Sequence, residues 1–156
     1  MIRIETKRLI IKSDASLYNG EIVFPARGAI DIFNIDTRNE KSGFAMFLKD
    51  DPSIQVGQFG FRHTHYPYEL LYQTNEGFRR KHFMWEAMEA FLDWFFSNVK
   101  VDNIYGIIAE GNIPSFGLAY KLGFEDTGDF FSGSKVLSIS KSKWARHNSR
   151  WDGAIL

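Results

Sequence analysis

The sequence predicts an α/β fold, and three consecutive segments carry that prediction. Residues 68–74 are predicted as a strand, residues 79–98 as a helix, and residues 104–109 as an apolar strand of the kind that is covered on both faces. Strand, helix and strand in this order predict a βαβ unit with a right-handed crossover. Apolar side chains recur at helical spacing in the central segment, at Met84, Met88, Phe91 and Phe95.

The first part of the chain reads as strands and turns. Apolar residues alternate over residues 2–12, which predicts one strand. Residues 13–42 are interrupted by glycine and proline, and two interpretations stay open there: one short helix or a pair of strands. Residues 44–49 and 54–62 predict a β-hairpin whose turn is residues 50–53.

A second helix is predicted after the apolar strand. Asn112 is a good N-cap, Pro114 falls in the first turn, and Gly123 follows the last turn at the position where glycine commonly ends a helix. Residues 136–140 predict a last strand. The remaining residues, 145–156, read as a polar tail.

Composition limits the classes of function. A chain of 156 residues predicts one domain, here residues 1–144, with the tail beyond it. A formal net charge of zero argues against a broad nucleic-acid surface. The absence of cysteine excludes disulfides, thiolate metal sites and a cysteine nucleophile. No signal peptide or membrane-spanning run is visible, so we expect a cytoplasmic protein without a membrane partner.

Positive charge is concentrated where the long helix is predicted to begin. We call Arg79, Arg80, Lys81 and His82 the basic loop. A helix N-terminus already carries about half a positive charge, so cations there are unfavourable without a compensating anion. One interpretation is a phosphate-bearing ligand held by free backbone N–H groups and these side chains. The other is a solvated basic turn with no ligand.

Three segments of the chain resemble the GNAT acetyltransferases. They are residues 5–9, residues 78–87, and residues 112–124, where Asn112, Ser115 and a closing Lys-Leu-Gly-Phe stand at the family's spacing. The resemblance is closest to the RimJ/RimL-like branch, which acts on ribosomal-protein N-termini. It extends to about residue 144, with a gap at 13–42. It implies a mixed, mostly antiparallel central sheet with the βαβ unit at two splayed parallel strands and helices on both faces.

The resemblance assigns the cofactor loop to the segment that opens the long helix. In the family this loop usually reads Arg-Gly-x-Gly-x-Ala, and its backbone N–H groups wrap the pyrophosphate of acetyl-CoA. Here Arg80 and His82 replace the two glycines and Met84 replaces the small residue. Such a degenerate loop either uses charge-assisted contacts instead or binds the cofactor weakly. The loop residues implied are Arg79, Arg80, Lys81, His82, Phe83 and Met84.

The implied activity is direct transfer of an acetyl group from acetyl-CoA to a primary amine, either a protein or peptide N-terminus or a small amine. By match to the family, the backbone of Leu71, Tyr72 and Gln73 would hold the thioester and polarise its carbonyl. Asn112 and Ser115 match the positions that contact the pantetheine arm and the thiol. No metal is expected.

Proton transfer requires an acid and a base. Ser115 is the expected acid, although a hydroxyl in the first turn of a helix can also simply bond its own backbone. Glu69, on the strand facing the cofactor, and Glu110, at the end of the next strand, are the candidate bases. The alternative for Glu110 is a solvated strand end.

The acceptor region is the least defined by the sequence. Residues 13–42 are too short for the two helices that relatives normally have there, which implies a more open groove suited to a peptide N-terminus. A partner subunit completing the site, as in a homodimer, is another interpretation. The rival function is a GNAT-fold binding or regulatory protein that has lost catalysis, which the replaced glycines favour.

Overall fold

The computed structural model describes residues 1–25, 40–63 and 65–146, and the backbone of residues 28–29. Two compact units divide the chain, Met1–Lys100 and Val101–Leu156. The predicted succession of strand, long helix and strand is present, with the first strand and the helix in the first unit and the second strand in the second unit.

The first unit consists largely of strands within its described residues. They are β1 (Ile2–Glu5), β2 (Leu9–Ser13), β3 (Ser16–Tyr18), β4 (Glu21–Phe24), β5 (Gly28–Ala29), β6 (Phe44–Leu48), β7 (Gln55–Arg62) and β8 (Glu69–Thr74). Five of them pair antiparallel in the order β1-β2-β6-β7-β8. The other three form a small antiparallel sheet in the order β3-β4-β5.

The helix of the first unit, α1 (Phe83–Asn98), packs its apolar face on the sheet through aromatic rings. The ring of Phe91 lies 4.9 Å from that of Phe44 and 4.7 Å from that of Phe59, both near edge-to-face. The ring of Phe95 lies 5.6 Å from that of Phe61. Such pairs contribute about 0.5–1.5 kcal/mol each beyond the burial of their area. This aromatic core fixes α1, and with it the loop before α1, against the sheet.

The prediction of one strand over residues 2–12 is wrong, because a turn divides it into β1 and β2. The backbone N–H of Thr6 donates to the carbonyl of Leu9, and the N–H of Leu9 donates to Thr6 Oγ1, both at 2.9 Å. The two strands then pair with Ile4 opposite Ile11. The apolar alternation changes phase between Ile4 and Leu9, which is the sign of this turn in the sequence.

Of the two interpretations for residues 13–42, the pair of strands is confirmed over residues 16–24. β3 and β4 pair across Asn19 and Gly20, whose φ angles are 51° and 80°. Two successive left-handed residues are the geometry of the tight hairpin turn for which Asn-Gly is the preferred sequence. Residues 26–27 and 30–39 lie outside the described residues. The predicted β6–β7 hairpin is also confirmed, and Ser53 donates from its N–H to the Asp51 carboxylate at 3.2 Å within the turn.

The second unit contains β9 (Asn103–Ala109), α2 (Ile113–Leu122), β10 (Glu125–Phe131) and β11 (Ser134–Ser140). Its strands pair antiparallel in the order β9-β11-β10, and residues 141–146 are helical. The predicted caps of α2 are confirmed, since Asn112 is the N-cap and Gly123, with φ of 100°, ends the helix. β10 was not predicted. Residues 147–156, most of the predicted tail, lie outside the described residues.

None of the helices in the described segments has the length and apolar character needed to span a membrane.

Candidate functional site

The loop between β8 and α1 is tied to the strands that precede it. The backbone N–H of Asn75 donates to the carbonyl of Val56 at 2.8 Å, and its side-chain amide donates to the carbonyl of Gln55 at 3.1 Å. At the other end of the loop, Arg79 Nε donates to the carbonyl of Thr74 at 3.0 Å. The loop therefore starts from a fixed position at the end of β8.

The basic loop is not helical, so the prediction that the helix begins at residue 79 is wrong. Arg80 and His82 have φ angles of 64° and 63°, in the left-handed region, and α1 begins only at Phe83. A left-handed conformation costs a residue with a side chain about 1–2 kcal/mol, whereas glycine adopts it readily. The two residues that replace glycines thus keep a backbone conformation that glycine normally supplies.

The start of α1 lacks a side-chain cap. His82 is the N-cap residue, and it makes no capping hydrogen bond through its side chain. The first N–H groups of a helix have no partner within the helix, and together with the helix dipole they favour an anion. Arg79, Arg80, Lys81 and His82 are all exposed. The loop therefore combines uncapped N–H groups with accessible basic side chains.

Phe83 and Met84 differ from the exposed residues of the predicted cofactor loop because they are buried. Their side chains are only 8% and 6% exposed, because they belong to the core face of α1. Met84, which stands where relatives have a small residue, therefore does not crowd the loop with its side chain.

A hydrogen-bond network that the sequence analysis did not identify connects this loop to the β1–β2 turn. The carboxylate of Glu86 accepts from Thr6 Oγ1 at 2.5 Å, from the backbone N–H of Arg8 at 2.9 Å and from Arg8 Nε at 2.7 Å. Arg8 Nη2 also donates to the carbonyl of Lys81 at 3.0 Å. The guanidinium carbon of Arg8 lies 4.1 Å from the ring centroid of Phe83. The resemblance of residues 5–9 to the family was the signal that could have led to it.

On β8, the structure places Glu69 in an ion pair. Its side chain is 0% exposed, and it accepts from Arg62 Nε and, at 3.0 Å, from Arg62 Nη2. These hydrogen bonds, together with the charge of the carboxylate, raise the pKa of Arg62 against the effect of its own burial. A buried carboxylate held by a bidentate guanidinium is poorly suited to take a proton from a substrate. This arrangement argues against Glu69 as the base, which stays a prediction.

The other predicted residues of β8 are more accessible. Leu71 and Tyr72 are half-buried, and Gln73 is exposed. The side-chain oxygen of Gln73 accepts from Gln58 Nε2 at 3.2 Å, across the β7–β8 register in which these residues are partners. This hydrogen bond fixes the side chain of Gln73 near the end of β8, one residue before its last residue.

In the second unit, the predicted residues gather where β9 leads into α2. Asn112 Oδ1 accepts from the backbone N–H of Ser115 at 3.3 Å, and the backbone N–H of Asn112 donates to the carbonyl of Ala109 at 2.9 Å. Ser115 is half-buried in the first turn of the helix, and Glu110 is exposed just after the strand. The geometry leaves open both interpretations of Glu110, a base or a solvated strand end.

Comparison with known proteins identifies the family. A family model described as an acetyltransferase (GNAT) domain matches residues 17–125, more than half of the chain. This chain belongs to the GNAT acetyltransferase family. A curated relative, the uncharacterised N-acetyltransferase YnaD of Bacillus subtilis (strain 168), is 26% identical and is aligned over 83% of this chain and 86% of its own. Together these matches identify the protein as an acetyltransferase.

Solved GNAT structures share the fold. An acetyltransferase from Agrobacterium tumefaciens str. C58 has a TM-score of 0.65 and 17% identity, over 89% of this chain and 94% of its own. RimJ of Mycobacterium smegmatis, solved in complex with CoA-disulfide, has a TM-score of 0.53 and 18% identity, over 71% of this chain and 60% of its own. The predicted fold class, the mixed α/β fold of GNAT proteins, is confirmed. Assignment to the RimJ/RimL-like branch stays a prediction.

Proposed function

We propose that this GNAT acetyltransferase transfers the acetyl group of acetyl-CoA directly to a primary amine and binds the cofactor's pyrophosphate at residues 79–84. The observation that carries the proposal is the backbone of the basic loop. Arg80 and His82 hold left-handed conformations immediately before an uncapped helix. Strained residues of this kind persist where the surrounding structure fixes them, and they are concentrated at functional sites.

Charge supports the same assignment. Two arginines, a lysine and a histidine next to a helix N-terminus destabilise one another and the helix unless an anion is bound. A pyrophosphate would accept charge-assisted hydrogen bonds from these side chains and from the uncapped N–H groups of α1. Members of the family typically use acetyl-CoA, which supplies both the pyrophosphate and the activated acetyl group.

For the catalytic step, we assign Ser115 as the acid that returns a proton to the thiolate and Glu110 as the base that takes one from the ammonium, directly or through water. Glu110 replaces Glu69 as the leading candidate because it is exposed and Glu69 is buried against Arg62. The backbone of residues 71–73 would hold the thioester and polarise its carbonyl, and Asn112 would contact the pantetheine arm.

For the acceptor, we propose a peptide or protein N-terminus in preference to a small amine. The support is the short segment between β2 and β6, whose described residues include the small sheet β3-β4-β5 and no helix. A panel of peptides with different first residues, tested beside small polyamines, would check this. Faster turnover of the polyamines than of every peptide would contradict the choice.

Titration calorimetry tests the binding proposal by measuring the Kd for acetyl-CoA and for coenzyme A. Acetyl-CoA at about 100 times its Kd should also raise the free energy of unfolding of the wild-type protein by about 2.7 kcal/mol. Arg80→Gln removes a charge but keeps a side chain at the strained position, and it should raise Kd about tenfold, equivalent to about 1.4 kcal/mol. Arg3→Gln, an exposed arginine on β1, is the matched control and should leave Kd unchanged. An absence of binding by the wild-type protein would remove the proposal.

Measuring the rate of acetyl transfer then distinguishes the enzyme hypothesis from the hypothesis of a binding protein that has lost catalysis. Ser115→Ala should lower kcat by about 100-fold or more while leaving acetyl-CoA binding intact. An unchanged kcat would exclude Ser115 as the acid. Tight binding of acetyl-CoA with no transfer to any amine of the panel would favour a GNAT-fold protein that has lost catalysis.

A further inference from the structure

Arg8 contacts the segment that opens α1 in three separate ways. Its Nε donates to Glu86 Oε1 at 2.7 Å, its Nη2 donates to the carbonyl of Lys81 at 3.0 Å, and its guanidinium lies over the ring of Phe83, 4.1 Å from the centroid. A planar guanidinium is suited to this combination because it donates in two directions while one face stacks on a ring. A lysine could keep the ion pair but not the other two contacts together.

The partners of Arg8 lie at the strained backbone that precedes α1 and at the start of the helix. Lys81 lies between Arg80 and His82, the two residues in left-handed conformations, and Phe83 is the first residue of α1. Arg8 therefore holds the central peptide of the strained segment and the residue that follows it. The backbone N–H of Glu86 closes the first helical bond by donating to the carbonyl of His82 at 3.0 Å.

Glu86 fixes Arg8 in turn. Its carboxylate accepts from the side chain and the backbone of Arg8 and from the hydroxyl of Thr6. Because this carboxylate neutralises the guanidinium, Arg8 is not a free charge for attracting a phosphate. It differs in this from the exposed side chains of the basic loop, and its contribution is geometric.

We propose that Arg8 is a positioning residue of the cofactor site: through Lys81, Phe83 and Glu86 it holds the segment 79–84 in the conformation that binds the pyrophosphate. This inference rests on the proposed function. On this proposal the residues of the basic loop attract the pyrophosphate by their charge. Arg8 acts on the same site by holding the backbone of the loop in place.

Arg8→Lys tests the proposal, with Arg3→Lys as the matched control on the same hairpin. Arg8→Lys should raise the Kd for coenzyme A and the KM for acetyl-CoA about tenfold, with kcat unchanged. In Arg8→Lys the salt dependence of Kd should stay that of the wild-type protein. Arg80→Gln should make it shallower because, of these two arginines, Arg80 contributes a charge that no carboxylate among the described residues neutralises. Arg3→Lys should change none of these quantities.

Amide hydrogen exchange tests the positioning role of Arg8 without any ligand. In the free protein, Arg8→Lys should speed exchange of the Glu86 amide, whose hydrogen bond to the carbonyl of His82 closes the first turn, by about tenfold, and leave the amides at the centre of α1 unchanged. If Arg8→Lys does not fold, Phe83→Leu removes the stacking contact while keeping both hydrogen bonds of Arg8, and it should give a smaller change in the same direction.

An unchanged Kd in Arg8→Lys, or unchanged exchange of the Glu86 amide, would overturn the positioning role while leaving the proposed function intact. Failure of the wild-type protein to bind coenzyme A would overturn the proposed function and the cofactor role of Arg8 with it. The exchange measurement would then still decide whether Arg8 holds the segment.

Discussion

Arg62 and Glu69 are directly opposite each other in the register of β7 and β8, and the half-exposed side chain of Arg62 neutralises the buried carboxylate of Glu69. The pair explains how an acidic residue is accommodated at the start of a strand close to the aromatic core. The same ion pair argues against the prediction that Glu69 acts as the base.

Replacing Arg62 should therefore be costly. Arg62→Met leaves the buried carboxylate of Glu69 without its partner and should lower the free energy of unfolding by about 3–5 kcal/mol. Arg3→Met, which breaks an exposed pair with Glu5, should cost less than about 1 kcal/mol. Urea unfolding of the two variants would measure the difference. Equal, small losses would show that Glu69 does not depend on Arg62.

Acid should weaken the contact between the β1–β2 turn and α1. Burial alone would raise the pKa of Glu86, but the hydrogen bonds from Thr6 and Arg8 and the charge of Arg8 lower it below its ordinary value of 4.5. A lowered folded-state pKa gives stability that is present above the unfolded-state value and is lost as the pH falls through the folded-state value.

Glu86→Gln isolates this effect. It should cost about 2 kcal/mol at neutral pH, since hydrogen bonds to a charged group are lost. The difference in unfolding free energy between the wild-type protein and the variant should shrink as the pH is lowered from about 6 to about 3. A difference that is constant over this range would mean that the carboxylate's charge does not contribute.

Restoring glycine in the basic loop should make the protein more stable and a weaker binder. Arg80→Gly and His82→Gly each relieve a left-handed conformation but lose chain entropy on folding, so each should gain about 0.5–1 kcal/mol. Acetyl-CoA affinity should fall in both because basic side chains are lost.

Lys81→Gly is the matched control, because Lys81 is exposed and is not among the residues with positive φ. It should lower stability by about 0.5–1 kcal/mol, the usual cost of a glycine where none is needed. Differential scanning calorimetry would compare the three variants. A loss of stability in Arg80→Gly as large as in Lys81→Gly would contradict the strain argument.

Gly57 on β7 should not tolerate alanine. A Cβ at this position would lie 2.6 Å from the backbone oxygen of Gln73, and a backbone atom cannot move aside without separating β7 from β8. Gly57→Ala should cost about 1–3 kcal/mol through this overpacking. Gly106→Ala on β9 is the control, since its Cβ would come no closer than 4.0 Å to Phe124. Chemical unfolding of both variants checks the contrast.

Elements with local signals were the ones that the sequence could predict. The β6–β7 turn contains its own Asp-Asp-Pro-Ser signal, and α2 has its capping residues Asn112 and Gly123 at its ends. For residues 13–42 the sequence leaves two interpretations open, although Asn19-Gly20 marks the turn of the β3–β4 hairpin. β10 escaped prediction because six of its seven residues are exposed, so no apolar alternation could develop.

The parts that the sequence could not predict depend on tertiary structure. Nothing in the residue types of Arg80 and His82 specifies a left-handed backbone, so the long helix was extended to residue 79 instead of starting at Phe83. The contact of Arg8 with Glu86 joins residues 78 positions apart and exists only once α1 packs beside the β1–β2 turn. Glu69 and Arg62 are seven residues apart, yet their pairing follows only from the strand register.

β10 ends the strand order of the second unit, and outermost strands can recruit other chains through their unpaired amides and carbonyls. Here acidic residues occupy Glu125, Asp126 and Asp129, and the pairing with β11 becomes irregular between Asp126 and Phe130, around Gly128. Charged side chains, two of them paired with Lys135 and Lys143, and a broken ladder both discourage edge-to-edge association. The strand thereby resists aggregation even though it presents Phe130 to solvent.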